Sequence, residues 1–332
     1  MSSRAVTRRR LSAVLVGAAA SAGAGLLWAP QAQPRYPSRP VRFIIPFPGG
    51  GINDVLARVA AEKLQVKWGQ PIIIENKTGA GGSIGADYAF QAEPDGYTLL
   101  VSAPGPLAIN HSLYKQLSYR PEEFVPITVL GSVPNLITVR AELGVDTVAA
   151  LVKLAKANPG KLTYGSQGVG STPNLNAVMF MNMTGTSFVH VPYRGETLVV
   201  NDMLGGHVDM FFGNISPVLP HYRDGRFKVL AVADTMRAPA IPDVPTTAEA
   251  GLPGFLSTAW FAVMGPPKLP DALAQRFAAD FIEVLKMPDV AARYRAVGTE
   301  PVGSTPARTA AFIREEIARW REVIVKNNIQ VE

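Results

Sequence analysis

The sequence predicts an α/β protein in which helices wrap parallel sheets, arranged as two domains. Short β-branched and aromatic runs alternate with stretches of helical spacing, and glycine-rich turns join the two. A length of 332 residues is enough for two domains of ordinary size. An apolar fraction of 47% and a charged fraction of 17% suit a chain with a sizeable core.

The first series of elements begins with a short apolar strand, Val41 to Phe47, that ends in three consecutive glycines. The spacing of Val55, Leu56, Val59 and Leu64 then predicts a helix from Asn53 to Trp68. A second strand follows over Pro71 to Glu75, then a glycine-rich turn and a helix that runs to Gln91. The turn Asp95-Gly96 precedes a third strand, Tyr97 to Ser102.

A second series of elements begins near residue 139. Asp146 is expected to cap a helix that runs to Ala157, and Thr172 with Pro173 is expected to open another. The short strands predicted around them are Leu162 to Gly165, Phe188 to Val191, Met210 to Phe212 and Val229 to Ala233. After Gly265 the pattern is mostly helical, and Thr305-Pro306 opens the last helix.

Residues 1–32 have the plan of a secretory signal peptide. Arg4 and Arg8 to Arg10 precede an apolar stretch, Leu11 to Ala29, and a polar, proline-containing segment follows. The run Thr7 to Ser12 is similar to a twin-arginine export signal. A membrane anchor is the alternative for this stretch, but its alanine, glycine and serine residues favour cleavage. We therefore expect export to the periplasm, where a chain without cysteine needs no disulfide.

The excess of basic over acidic residues in the chain does not indicate a nucleic-acid partner. Four of the 32 basic residues lie in the leader, which leaves 28 basic against 26 acidic residues, interspersed and without a basic stripe. We expect no metal site, because His111, His190, His207 and His221 are isolated. No phosphate-binding G-x-x-x-x-G-K-[ST] motif occurs either.

A serine hydrolase is the main enzymatic alternative. Ser83 lies in a G-x-S-x-G pattern, and Asp209 and His221 follow in hydrolase order. However, Asn76 to Ala80 separate Ser83 from the end of the preceding strand, whereas a nucleophile elbow needs the serine directly at that end. A dinucleotide site is disfavoured as well, because the glycines from Gly79 to Gly85 have the wrong spacing.

Three glycine-rich turns have the chemistry of an anion site. Each follows a strand end and leads into a helix, whose free N–H groups and dipole favour a negative charge. The turns are Gly49 to Gly51 with Asn53, Gly79 to Gly82 with Ser83, and Gly168 to Asn174 with Ser171 and Thr172. Tight chain reversal alone also explains such turns, so residue chemistry leaves both interpretations open.

Eight collinear motifs carry a family resemblance. They are Tyr36 to Arg42, Pro46 to Asp54, Glu75 to Gly82, Pro94 to Leu100, Asn158 to Tyr164, His190 to Gly195, Leu204 to Met210, and Pro242 to Thr246 leading to Glu249 to Gly254. Together they resemble the Bug (Bordetella uptake gene) receptors, the solute-binding proteins of tripartite tricarboxylate transporters. The resemblance covers nearly the whole chain after the leader.

This resemblance implies a type II periplasmic-binding fold with two α/β lobes, a ligand cleft and a hinge of two segments. We place lobe 1 at 36–138 plus 258–332, lobe 2 at 139–257, and the hinge near Val133 to Arg140 and Ser257 to Pro266. The family binds di- and tricarboxylates, aromatic acids and acidic amino acids. The implied protein is a monomeric receptor, not an enzyme, that needs no cofactor and delivers a small carboxylate to integral-membrane transporter subunits. A receptor that reports its ligand to a membrane signalling protein is the alternative.

The expected cleft residues are Phe47, Gly50, Gly51, Asn53, Ser102, Ser166, Gly170, Ser171, Thr172 and Asn214. Gly213 stands where family members frequently carry an aspartate that could face an ammonium group, which argues against an amino-acid ligand. Phe47 and Phe212 fit either the flank of a flat acid or the core. Tyr193 and Arg194 fit either the cleft or a surface turn.

Overall fold

A computed structural model describes residues 36–326 and residue 329, and its strands form two separate sheets. The signal peptide predicted over residues 1–32 lies outside the described residues. The described residues from Pro37 onward belong to one compact unit. In the part of the chain that is described, no helix combines the length and the apolarity needed to cross a membrane.

The first sheet has six strands in the order β11-β4-β10-β3-β1-β2. Strand β1 pairs in parallel with β2 and β3, while β10 runs antiparallel between β3 and β4. The bounds are β1 (Val41–Ile45), β2 (Ile72–Asn76), β3 (Thr98–Ser102), β4 (Val125–Pro134), β10 (Thr258–Gly265) and β11 (Glu300–Pro301). We call the elements around this sheet the first lobe.

The second sheet has five strands in the order β7-β6-β8-β5-β9. Strand β6 is parallel to β7 and β8, and β5 is antiparallel to β8 and β9. The bounds are β5 (Leu136–Arg140), β6 (Thr163–Ser166), β7 (Val189–Pro192), β8 (Met210–Phe211) and β9 (Phe227–Val232). We call the elements around this sheet the second lobe, so the two-lobe α/β fold expected from the sequence is confirmed.

Helices follow most of the parallel strands, as the glycine-rich turns predict. The bounds are α1 (Ile52–Trp68), α2 (Ser83–Phe90), α3 (Asn110–Leu113), α4 (Val148–Ala157), α5 (Thr172–Thr184), α6 (Glu196–Leu204), α7 (Ile215–Arg223), α8 (Asp271–Leu285), α9 (Pro288–Ala296) and α10 (Pro306–Lys326). Left-handed glycines end two of them, Gly69 after α1 and Gly185 after α5.

Two predicted helix caps differ from the observed caps by one residue. Thr147, not Asp146, caps α4, because its hydroxyl accepts a hydrogen bond from the Ala150 N–H at 3.1 Å. Ser171, not Thr172, occupies the N-cap position of α5, and Thr172 is the first helical residue. In both places two neighbouring residues can cap a helix, and the sequence does not decide between them.

The chain passes between the two sheets at Asn135 and again between Val232 and Thr258. Three buried backbone segments meet there: Asn135 donates to the Ser257 carbonyl (3.1 Å), Ser257 donates to Ala233 (2.8 Å), and Ala233 donates to Asn135 (2.8 Å). The Asn135 side chain also donates to the Ser257 hydroxyl at 2.9 Å. This hydrogen-bonded crossing is the two-segment hinge of the fold. The lobe boundaries predicted from the sequence stay a prediction.

A buried carboxylate fixes α10 onto the first sheet. Glu316 accepts hydrogen bonds from the indole N–H groups of Trp260 on β10 (2.7 Å) and of Trp320 (3.2 Å), and both indoles are fully buried. Arg319 forms two further bonds to the same carboxylate, each 2.8 Å long. Because a buried indole N–H has no water to bond, the carboxylate is needed to hold the helix in place.

We expect Glu316→Ala to lower the free energy of unfolding by about 2–4 kcal/mol, because two buried N–H donors and one guanidinium lose their acceptor. Urea denaturation measures this change. Glu316→Gln keeps an acceptor oxygen and should lose less, and Glu315→Ala on the exposed face of the same helix is the control. Equal losses for the two alanine variants would contradict the role given to Glu316.

Candidate functional site

All ten residues expected at the site lie at the carboxyl ends of parallel strands. Ligands of open α/β sheets bind at this edge, where loops lead into helix amino termini. The residues follow or end four strands: Phe47, Gly50, Gly51 and Asn53 after β1, Ser102 at the end of β3, Ser166, Gly170, Ser171 and Thr172 at and after β6, and Asn214 after β8. The structure therefore places these residues at the carboxyl edges of the two sheets, and their contact with a ligand stays a prediction.

Asp54 holds the loop after β1 in a fixed shape. Its carboxylate accepts from the Gly50 N–H (3.0 Å), from Arg58 (2.8 Å) and from the Asn76 amide (3.0 Å), which also donates to the Phe47 carbonyl. Burial raises the pKa of Asp54, but these hydrogen bonds outweigh it and hold the pKa below its ordinary value. These hydrogen bonds fix the shape of the loop, while Gly50 and Gly51 remain exposed.

Asn53 joins the start of α1 to the end of β3. Its side chain is buried, and its Nδ2 donates to the Val101 carbonyl at 2.9 Å, next to Ser102. Its Oδ1 is also buried and receives no hydrogen bond within the described residues. A buried acceptor of this kind is available to a water or a ligand hydroxyl.

The loop after β6 is organised around the Gly168 carbonyl. The hydroxyls of Ser166 (3.0 Å) and Ser171 (2.7 Å) both donate to it. The Ser166 hydroxyl also bonds His190 Nε2 at 2.6 Å, and the His190 ring stacks on Tyr164 with 4.9 Å between centroids. Burial lowers the pKa of His190 below its ordinary 6.5, so this imidazole is neutral at pH 7.

Gly170 lets this loop lie directly against the first lobe. Its φ of +78° suits glycine, and its N–H donates to Asn174 Oδ1 at 3.0 Å. A Cβ at this position would overlap the side chain of Leu113 in α3. Leu175, in the next turn of α5, is buried in the first-lobe core cluster. The two carboxyl edges therefore meet at this loop.

Glu196, which the sequence analysis did not single out, contacts the expected site residue Asn214. It opens α6, accepts a hydrogen bond from Asn214 Nδ2 at 2.8 Å, and is also bonded by Gln167, the residue after β6. Burial raises the pKa of Glu196 from 4.5 to about 7, although the hydrogen bonds from Asn214 and Gln167 lower it. Its position after Gly195, in the same strand–glycine–helix pattern as the other loops, was the available signal.

No side chain fits at Gly213. A Cβ there would overlap the ring of Phe211, which is fully buried in β8.

Phe212 belongs to the core, since its ring centroid lies 5.2 Å from that of Phe180 and 6.4 Å from that of Tyr164. Phe47 is half-buried against the Gly82 turn and stays a candidate for the cleft.

The residues of the hydrolase alternative have other partners. Ser83 Oγ accepts from Asn110 at 2.9 Å, Asp209 pairs with Arg140 at 2.9 Å, and His221 packs against Phe227. Ser83 lies in the first lobe, whereas the other two lie in the second.

Tyr193 donates to Asp202 at 2.6 Å and is therefore held against α6. In the described ranges no three acidic or histidine side chains are grouped to hold a metal ion.

Comparisons with known proteins agree with this arrangement. Residues 56–329 match the sequence model of the tripartite tricarboxylate transporter family receptor. Protein BugT of Bordetella pertussis is 38% identical over 317 residues, which cover 95% of this chain and 96% of BugT.

Two solved structures with bound ligands are similar to this chain. The R. palustris protein Rpa4515 with adipate has a TM-score of 0.84 at 34% identity and covers 89% of this chain and 100% of its own. MatC from Rhodopseudomonas palustris with bound malate has a TM-score of 0.80 at 31% identity, with coverages of 87% and 100%.

We expect the stability of the protein to depend on pH through Glu196. Because its folded pKa is raised, its contribution is greatest below pH 4.5 and is lost as pH rises to about 7. Over that range the free energy of unfolding should fall by about 2 kcal/mol relative to Glu196→Gln, allowing for partial solvent access. Urea denaturation at several pH values measures the difference, and parallel curves for the two chains would contradict the assignment.

We also expect Gly213→Ala to lower the free energy of unfolding by about 1–3 kcal/mol, because the new Cβ collides with the buried ring of Phe211. Gly195→Ala is the matched control, since a Cβ there meets open space. Thermal or urea unfolding compares the two variants. A neutral Gly213→Ala would show that Phe211 moves freely.

Proposed function

The chain belongs to the tripartite tricarboxylate transporter receptor family, and from this premise we propose that it captures a small di- or tricarboxylate, or an aromatic acid, in the cleft between its lobes. The receptor is exported to the periplasm, acts as a single chain, and delivers its ligand to integral-membrane transporter subunits. The family is one of receptors and not of enzymes.

One observation carries the proposal of a carboxylate site. The amino termini of α1, α5 and α7 follow parallel strands at the facing edges of the two sheets, and glycines and hydroxyl residues precede or begin α1 and α5. Free N–H groups at helix amino termini attract an anion without needing a cationic side chain. Malate and adipate in the related structures are both dicarboxylates, which supports the same ligand class here.

The cleft also has acceptors for a ligand that donates hydrogen bonds. The Oδ1 atoms of Asn53 and Asn214 are buried, and no described group donates to them. An ordered water or a ligand hydroxyl would satisfy them. This supports a hydroxy acid, or a dicarboxylate held through bridging waters, as the preferred ligand.

The available energy fits a receptor of this kind. A hydrogen bond to a charged group contributes roughly 1.5–3 kcal/mol. Four or five such bonds contribute roughly 6–15 kcal/mol. The upper part of this range exceeds the about 8 kcal/mol of micromolar binding and covers the entropy of association and closure. Closure of the lobes about the Asn135–Ser257 crossing would then present one liganded shape to the membrane subunits.

We expect one or more organic acids to stabilise the purified protein. After unfolding and refolding to remove any bound compound, the protein is screened by thermal shift with malate, adipate, citrate, benzoate and glutamate. A ligand at 100 times its Kd should raise the free energy of unfolding by about 2.7 kcal/mol. Calorimetry then gives the Kd. A protein that none of these acids stabilises would refute the carboxylate proposal.

We expect the double variant Ser171→Ala, Thr172→Ala to bind the acid about tenfold or more weakly, because two hydroxyls leave the amino terminus of α5. Thr147→Ala is the matched control, since Thr147 is the N-cap of α4 in the same lobe. It should lose about 1 kcal/mol of stability and no affinity. If the double variant kept full affinity, the acid would bind elsewhere.

Delivery to a transporter needs a separate test, because a signalling receptor would have the same cleft. Co-expression with the two membrane subunits should give uptake of the radiolabelled acid that depends on this chain. Uptake that proceeds equally without the chain would favour the signalling role.

A further inference from the structure

Glu196 is an acid on the carboxyl edge of a sheet that is proposed to bind another acid. Its carboxylate is bonded by Asn214, after β8, and by Gln167, after β6. Ser166 ends β6 on the same edge. Asn214 in turn forms a bridge with Asn135 of the hinge. Glu196 therefore stands between the proposed ligand residues of the second lobe and the crossing of the chain.

The immediate partners of Glu196 are neutral amides. No ion pair to Glu196 occurs in the described part of the chain. Arg194, two residues before Glu196, is exposed and does not contribute to the pKa of Glu196. The other titratable groups on α6 and on the elements packed around it have other partners or lie away from its first turn. Arg140 pairs with Asp209, Asp202 is bonded by Tyr193 and faces His207, Tyr164 is bonded by Asn174, His190 is bonded to Ser166, and His221 and Arg223 stand in the last turn of α7.

A protonated Glu196 supplies one donor that its surroundings lack, although the N–H groups of Asn214 and Gln167 that bond it favour the ionised form. Asn214 donates through Nδ2, which leaves Oδ1 of the same buried amide without a donor. An ionised carboxylate only accepts hydrogen bonds, whereas a protonated carboxyl has one O–H to donate. That O–H can serve the amide oxygen or an oxygen of the ligand.

On the basis of the proposed function, we propose that Glu196 enters the complex protonated, so that the receptor takes up one proton with each organic acid and discriminates against ligands that carry an ammonium group. In the complex its O–H is a hydrogen-bond donor at the end of the cleft. In the free protein the same carboxyl exchanges its proton with solvent. The proton comes from water and stays on the carboxyl, so no covalent bond between ligand and protein is involved.

Electrostatics gives the sign of the effect. A ligand carboxylate in the cleft repels an ionised Glu196, which raises the pKa of that residue beyond the value of about 7 set by burial. Since the bound form then holds the proton more tightly, the free energy of binding becomes less favourable as pH rises past 7. An ammonium ligand would give the opposite slope, because it needs the ionised carboxylate.

Isothermal titration calorimetry with malate, adipate, citrate and benzoate tests the proposal. Titrations at one pH in two buffers of different ionisation enthalpy report the number of protons taken up. We expect close to one proton per ligand at pH 8, few at pH 6, and a Kd about tenfold weaker at pH 8 than at pH 6. Glu196→Gln, which keeps the shape of the side chain, should bind with a Kd that changes far less with pH.

Two controls separate this effect from others. Glu142→Gln changes an exposed acid in the same lobe and should keep the pH dependence of the natural chain. His190 is present in every variant, so its own titration cancels in the comparison. Urea denaturation at pH 7 verifies that Glu196→Gln is folded.

The outcomes distinguish this inference from the function on which it rests. A chain that binds none of the four acids at any pH refutes both. A chain that binds an acid without proton uptake, or with the same pH dependence after Glu196→Gln, refutes the role of Glu196 alone. Tighter binding at higher pH, together with binding of glutamate, would show that the ionised carboxylate faces an ammonium group and would also overturn the proposal.

Discussion

The hydrogen-bonded crossing of Asn135, Ala233 and Ser257 is the constraint on which the rest of the structure depends. Each residue donates its N–H to the carbonyl of another, so the two chain connections are tied to each other at one buried point. Buried backbone groups must find partners, and here they find them only if both connections take this path. Because both sheets are joined at this point, the carboxyl ends of their parallel strands are brought towards each other.

The chemistry proposed for the cleft follows from this arrangement of the two sheets. Helix amino termini and small residues lie at these edges, because the loops there turn from a strand into a helix. The polar groups that are fixed most firmly, such as Asp54 with Arg58 and Ser166 with His190, are bonded within their own lobe. Asn53 and Asn214, which follow β1 and β8, are among the residues that have a buried oxygen without a described donor. The proposed acid-binding receptor would need few charges of its own, and Glu196 is the charge for which we propose a dependence on pH.

Much of the fold follows from local pattern, and less of the site does. Strand runs, glycine turns and helical spacing predict the strands β1 to β3 and β6 to β9 to within a few residues, because each is decided by its own neighbours. The position of β10 between β3 and β4 is a matter of pairing between residues far apart in sequence, which no local pattern encodes. Glu196 escaped notice for a similar reason: the burial that raises its pKa, and its hydrogen bonds with Asn214 and Gln167, involve residues that only the fold brings together.

The insertion of β10 into the first sheet has a consequence for the order of folding. The strands of the second sheet, β5 to β9, come from one continuous stretch, Leu136 to Val232, and can pair as soon as that stretch has left the ribosome. The first sheet has a gap until Thr258–Gly265 arrives, since β3 and β4 both pair with β10 and not with each other. The second lobe is therefore expected to fold first, and β3 and β4 remain unpaired edges until β10, which follows the whole second sheet in the chain, has been made.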